Sequence, residues 1–170
     1  MDHILPPPLT AADKYVIENI DRKVLSDSIN FLRSYHEVMW LDSDTNEVVP
    51  LSELRRRKIR IQPHPIYPDE LKEMGKMFLR LMRGHNDIRV DLRNEGFFTS
   101  GSLASYRPGT MYSASLIASL ICDAYSRERF CDGLFGQGVD NGLYLKMLLH
   151  LEDLIAYHDY SEDQTGDIKF

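Results

Sequence analysis

Residues 126–133 read SRERFCDG, a charged segment that ends in glycine and lies inside residues 112–157, the longest apolar-periodic part of the chain. Before this segment, apolar residues recur at helical spacing: Leu116, Ile117, Leu120, Ile121 and Ala124. After it, a second set recurs in the same way: Leu143, Tyr144, Met147, Leu148, Leu151, Leu154 and Ile155. Side chains three and four positions apart share one face of a helix. The pattern therefore predicts two core helices, with the charged segment near the joint between them.

Helical patterns also dominate the rest of the chain. Thr10 followed by Asp13 is typical of a helix N-terminus, and the helix it opens is expected to reach about His36, either continuously or with a break after residues 26–28. A short helix over residues 50–60 and an amphipathic helix over residues 68–83 follow. Two apolar pieces around residues 42–46 predict one β-hairpin, and the alternation from Ile88 to Leu92 predicts another strand.

These elements predict a mainly α (α+β) fold, with five or six helices around one core and one or two short β-hairpins. A chain of 170 residues is most simply a single domain over residues 1–170. Residues 1–9 contain three consecutive prolines and are expected to be an extended lead. Residues 159–170 are expected to be an acidic, flexible tail.

Composition narrows the class of protein. The 43% hydrophobic and 27% charged shares are ordinary for a globular protein, and a net charge of −6 argues against broad nucleic-acid binding. The two cysteines, Cys122 and Cys131, are too few for a disulfide framework. No secretory leader or apolar run of membrane-spanning length is present, so a cytoplasmic location is expected.

The segment around residue 130 carries the first candidate site, formed by Arg127, Arg129 and Asp132. One interpretation is structural: Phe130 enters the core, Arg129 pairs with a buried acid, and Gly133 permits close backbone approach. The other is an anion- or partner-binding site with both arginines at its edge. On a helix, two residues that are two positions apart point in different directions, which weighs against a single arginine clamp.

A second candidate is a calcium loop that starts at Asp42. The spacing supplies the oxygen ligands Asp42, Asp44, Asn46 and Glu53, as in an EF-hand. Glu47, however, stands where the motif has the glycine of its sharp turn. A plain polar turn is the alternative interpretation.

A third candidate is the densest run of positive charge, composed of Arg55, Arg56, Arg57, Lys58 and Arg60. Such a run can bind phosphates or a partner. It can also be a solvated helix face balanced by nearby acids, which is the favoured interpretation because no aromatic residues alternate with the cations.

Residues 127–154 resemble an uncharacterised family of small bacterial and phage domains. That family ends in a pattern like R-x-x-R-F-C-[DE]-G, followed by a helix, a glycine and L-x-x-L. Here residues 125–133 read YSRERFCDG, then Gly142 follows, and then Leu145, Leu148, Leu149 and Leu151. The aromatic Asp-Trp element of the family is replaced by Asp91-Leu92. Since the family has no established activity, the resemblance implies a fold and no reaction.

No phosphate-binding, dinucleotide-binding or nucleophile-elbow motif is present, so the leading prediction is a non-catalytic interaction or regulatory protein. It would be a cytosolic protein of bacterial or phage origin, such as an inhibitor of a host defence system. A protein partner would be bound through the acidic surface and the predicted loop over residues 94–109. One alternative is a small enzyme or nucleotide- or anion-binding protein that uses Arg127, Arg129 and Asp132. The second is a calcium-binding domain; no other cofactor is expected, and nucleic acid is not the favoured partner.

Overall fold

The structure is a computed structural model that describes residues 9–58, 63–88, 113–130 and 132–166, with side chains described as far as residue 163. These residues form seven helices: α1 Ala11–Asn19, α2 Arg22–Leu32, α3 Leu51–Arg56, α4 Asp69–Met82, α5 Ala114–Arg127, α6 Gln137–Asp140 and α7 Leu143–Gly166. They also form three strands: β1 Met39–Asp42, β2 Glu47–Pro50 and β3 His64–Ile66. The predicted mainly α fold is confirmed. Of the strand predicted over residues 88–92 only Ile88 is described, and the loop predicted over residues 94–109 lies wholly outside the described residues.

The first helical segment is divided in two by its own capping residues. Thr10 and Asp13 form the predicted capping box, each side chain accepting the other's backbone N–H at 3.1 Å. Asp21 then caps α2 by accepting from the N–H groups of Lys23 and Val24. The break therefore lies at residues 20–21 rather than after residues 26–28, and this division gives the seventh helix.

Helices α1, α2, α4, α5 and α7 enclose the core. The predicted apolar stripe of α4 is buried, including its methionines: Leu71, Met74, Met77, Phe78, Leu81 and Met82. At Gly75 the helix lies directly against Tyr125 of α5, since a Cβ atom at this glycine would be 2.2 Å from the tyrosine ring. Glycine is therefore what allows α4 and α5 to approach so closely.

The three strands form one antiparallel sheet in the order β2-β1-β3. The hairpin β1-β2 confirms the prediction, and Asn46 in its turn has a positive φ of 62°, which asparagine tolerates better than most residues. β3 pairs on the other side of β1, with Trp40 opposite Pro65. This third strand was not anticipated because the prolines at positions 63, 65 and 68 are typical of irregular chain. Only Pro65 lies within β3, which is at the edge of the sheet, where a proline is tolerated.

The chain after Asp159 is helical as far as Gly166, where the sequence predicted an acidic, flexible tail over residues 159–170. Asp159 accepts hydrogen bonds from both terminal nitrogens of Arg22, at 2.7 Å and 3.1 Å, which joins α7 to the start of α2. Among the described helices, none is both long enough and apolar enough to cross a membrane.

Candidate functional site

The turn between α5 and α6 is held by one carboxylate, that of Glu128. Its Oε2 atom accepts the backbone N–H of Gly133 at 2.6 Å, and Oε1 accepts the N–H of Phe135 at 3.0 Å. Oε1 also accepts a hydrogen bond from the hydroxyl of Tyr67, which in turn accepts the N–H of Gly136 at 3.1 Å. A charged acceptor shared by several donors makes strong hydrogen bonds. Glu128 therefore organises the whole turn, a role that the sequence did not reveal.

The surroundings of Glu128 are aromatic. Phe135 is fully buried, and the rings of Tyr67, Tyr125 and Tyr144 lie around it with centroids 5.2–5.5 Å away. Burial raises the pKa of Glu128, although the hydrogen bonds from Tyr67, Gly133 and Phe135 act in the opposite direction. Burial and the neighbouring carboxylate raise the pKa of Tyr67 above its usual value. The hydrogen-bonded pair of Tyr67 and Glu128 thus lies in a weakly solvated environment.

Gly133 fits the joint for two reasons. Its φ of 90° belongs to the left-handed region, which a side chain disfavours. A Cβ atom at this position would also lie 2.5 Å from the ring of Trp40. The expected close approach at Gly133 is therefore present, and it brings the β-sheet against the turn.

The other residues of the charged segment point in different directions. Arg127 contacts Asp123 one turn earlier on α5, with Nε 2.9 Å from Oδ1. Asp132 contacts the exposed His64 of β3, with Oδ2 3.2 Å from Nδ1. Arg129 lies over the ring of Phe130, its guanidinium carbon 4.6 Å from the centroid. Arg127, Arg129 and Asp132 thus contact three separate partners.

One part of the structural interpretation is wrong. Phe130 is 80% exposed rather than in the core, because helix α5 has ended and the apolar period of that helix no longer sets the direction of its side chain. Arg129 lies over that ring. The pairing of Arg129 with a buried acid stays a prediction, since none of the acids in the described residues contacts it. The carboxylate that holds the joint is the partly buried one of Glu128.

An open cleft of about 520 Å³ adjoins Arg129. It lies between the end of α4 and the end of α5, and its lining is Leu79, Arg83, Tyr125, Ser126, Glu128 and Arg129. Together with the exposed ring of Phe130, this cleft forms what we call the joint surface. It combines two guanidinium groups, an exposed aromatic ring and apolar walls.

Two of the four proposed calcium ligands, Asp42 and Glu53, contact an arginine, and so does Glu47. Nη1 of Arg57 lies 3.0 Å from Asp42, Nη2 lies 2.8 Å from Glu47, and Nε lies 3.4 Å from Glu53. Arg57 holds the pKa of Asp42 below its usual value. Asp42 also accepts the backbone N–H of Asp44, as in a polar turn. A calcium ion would have to displace the guanidinium, and a calcium-dependent rise in melting temperature is the test of this prediction.

The five cations of residues 55–60 differ in their contacts. Arg57 is turned toward the acids of the hairpin, and Arg56 lies 3.2 Å from Glu53. Arg55 and Lys58 are exposed, and Arg60 lies outside the described residues. Two of the five cations thus contact acids, and the choice between a solvated face and a binding patch stays a prediction.

A buried hydroxyl near Glu128 leads to a prediction. The hydroxyl of Tyr144 is fully buried and has no hydrogen-bond partner within the described residues, whereas that of Tyr67 bonds both Glu128 and Gly136. An unpaired buried hydroxyl costs free energy, so we expect Tyr144→Phe to raise the free energy of unfolding by up to about 1 kcal/mol. Tyr67→Phe should lower it by about 1–2 kcal/mol.

Urea unfolding followed by circular dichroism measures both variants. A loss of stability in Tyr144→Phe as large as that in Tyr67→Phe would show that the Tyr144 hydroxyl has a partner, such as a buried water molecule.

No family model, no curated protein and no solved structure matches the chain. The resemblance of residues 127–154 to the bacterial and phage domains therefore gains no support from a matching family. The fold and the contacts of its residues are what support the proposals that follow.

Proposed function

We propose that the protein is a non-catalytic binding protein that contacts a protein partner through the joint surface. The observation that carries the proposal is the exposure of Phe130, whose ring is 80% accessible and lies beneath the guanidinium of Arg129. Aromatic rings and arginines are the residues that most often dominate binding energy in protein interfaces. An exposed phenylalanine also loses unfavourable contact with water when a partner covers it.

The hydrogen bonds beneath the joint surface indicate that it is a preformed binding surface rather than a loop that becomes ordered on binding. Glu128 accepts hydrogen bonds from Tyr67, Gly133 and Phe135, so the turn that carries Phe130 is held in place before any partner arrives. Binding by a preformed surface avoids much of the entropy cost of ordering a loop. The stacking of Arg129 on Phe130 likewise limits the number of side-chain conformations that the partner must select.

The alternative of an enzyme or nucleotide-binding protein that uses Arg127, Arg129 and Asp132 has less support. Those side chains contact Asp123, Phe130 and His64 respectively, so they do not converge on one reacting group.

In the narrower form of the proposal, the protein is a cytoplasmic inhibitor of bacterial or phage origin and the partner is a component of a host defence system. Its size, acidic charge and lack of a catalytic motif motivate that form.

Site-specific photocrosslinking tests the binding function. A photoreactive phenylalanine analogue replaces Phe130 in one variant and Tyr160, which is 64% exposed on α7, in the control variant. We expect one dominant protein adduct in cells of the source organism at position 130 and none above background at position 160. The crosslinked protein, once purified, should bind the wild-type chain and the Tyr160→Ser variant but not Phe130→Ser.

Equal crosslinking at both positions would contradict the proposed surface. So would unchanged binding of the purified partner to Phe130→Ser, provided that this variant unfolds at the wild-type temperature.

A further inference from the structure

The cleft of the joint surface is lined by both apolar and positively charged residues. Its lining includes the apolar Leu79, the aromatic Tyr125 and the polar Ser126. Arg83 and Arg129 contribute two positively charged side chains to the lining, one from the end of α4 and the other from the turn after α5. A volume of about 520 Å³ is enough for a side chain and its flanking backbone.

The positive charges of this cleft are available to a ligand. Neither Arg83 nor Arg129 forms an ion pair within the part of the chain that the structure describes; Arg129 is held by the ring of Phe130 instead. The carboxylate of Glu128, by contrast, already accepts hydrogen bonds from Tyr67, Gly133 and Phe135. The groups of the cleft that can still bind a ligand are therefore the two arginines. The planar guanidinium group of an arginine matches the geometry of a carboxylate.

We propose that this cleft receives an aspartate or glutamate side chain of the protein partner, bound by Arg83 and Arg129 while Leu79 and Tyr125 cover its apolar neighbours. The inference rests on the proposed binding function and names the chemistry that the partner presents. Electrostatic complementarity of this kind contributes to specificity and to the association rate.

Two features favour a peptide carboxylate over a phosphate. The nearby carboxylate of Glu128 would repel a dianion more strongly than a single negative charge. The cleft also lies at the C-terminal end of α5, where the helix dipole disfavours anions, so a site for a highly charged group would need more than two arginines. A singly charged side chain attached to apolar residues suits both the charge and the walls.

Nuclear magnetic resonance titration with two matched probes tests the inference. The probes are N-acetyl-Phe-Glu-amide and N-acetyl-Phe-Gln-amide, which differ only in the charge of the second side chain. We expect the acidic probe to shift the amide signals of Tyr125 and Ser126 and the Nε–H signal of Arg129, with an affinity about tenfold above that of the neutral probe, as a charged hydrogen bond implies. Arg83→Gln should lower the affinity for the acidic probe by about tenfold.

Arg80→Gln is the matched control, because Arg80 lies on the same helix, carries the same charge and does not line the cleft. It should leave the affinity unchanged. Equal affinity for the two probes, an equal effect of Arg80→Gln and Arg83→Gln, or tighter binding of inorganic phosphate than of the acidic probe would each overturn the inference.

The crosslinking experiment distinguishes an error in the acidic-ligand inference from an error in the proposed binding function. If a partner is captured at position 130 but the acidic probe is not preferred, the binding function stands and the acidic occupant of the cleft is wrong. If the acidic probe binds and no partner is captured, the cleft binds free acidic ligands and the assignment to a protein partner is wrong.

Discussion

Replacing Glu128 by Ala is expected to destabilise the protein by about 3 kcal/mol. The substitution removes the acceptor for the N–H groups of Gly133 and Phe135 and for the hydroxyl of Tyr67, all in a weakly solvated turn. Leaving buried donors without an acceptor is among the costliest single changes in a folded protein. Glu128→Gln should lose less, about 1–2 kcal/mol, because it keeps one acceptor oxygen but places an amide donor toward a backbone N–H.

The fluorescence of the single tryptophan provides a local readout of the same change. Trp40 lies against Gly133, so loosening of the turn should shift its emission to longer wavelength in Glu128→Ala before global unfolding occurs. Asp132→Ala is the control: it lies in the same turn, but its contact is with the exposed His64, and we expect a change within about 0.5 kcal/mol. Equal destabilisation in the two variants would mean that Glu128 is not the residue that holds the turn.

The second large effect is expected at Asp13, which joins α1 to the start of α5. Oδ1 accepts both the backbone N–H of Ser115 at 3.0 Å and its hydroxyl at 2.8 Å, while Oδ2 accepts the N–H of Thr10. The side chain is buried, so Asp13→Ala leaves these donors without an acceptor and should cost about 3 kcal/mol. Asp21→Ala removes an exposed helix cap and should cost only about 1 kcal/mol.

Asp13 also makes stability depend on pH. Burial raises the pKa of this carboxyl, but hydrogen bonds from Ser115 and Thr10 outweigh burial and hold the pKa below its usual value. A carboxyl whose pKa is lower in the folded state stabilises the fold above its unfolded pKa of about 3.9. That contribution is lost as the pH falls through the lower, folded pKa. Asp13→Asn should therefore show a smaller loss of unfolding free energy than the wild type between pH 5 and pH 2, measured by urea unfolding at each pH.

Features that depend on neighbours in the sequence could be predicted. The capping box of Thr10 and Asp13, the hairpin around Asn46 and the buried stripe of α4 follow from patterns spanning only a few residues. The pairing of Arg127 with Asp123 belongs to the same class, since residues four positions apart are adjacent on a helix. In each case the interacting groups are brought together by the local backbone alone.

The candidate site was predicted only in its approximate position. Its segment was identified, but the important charge is Glu128 rather than Arg129, and Phe130 is exposed rather than buried. A helical period indicates the direction of a side chain only while the helix continues, and α5 ends just before these residues. The role of Glu128 had no local signal, because one of its donors is the hydroxyl of Tyr67 on a distant segment.

The sequence by itself determined the helical class, the bounds of α4, the starts of α1, α5 and α7, and the hairpin, because capping, turn chemistry and apolar periodicity act over a few residues. Tertiary structure alone decided which polar groups meet. Asp13 reaches Ser115, Asp140 reaches the backbone N–H of Val38, and Glu128 reaches Tyr67 only after the helices have packed. Burial strengthens these contacts and makes their loss costly. Because such contacts join distant segments, no local pattern could identify the residues that support the exposed joint surface.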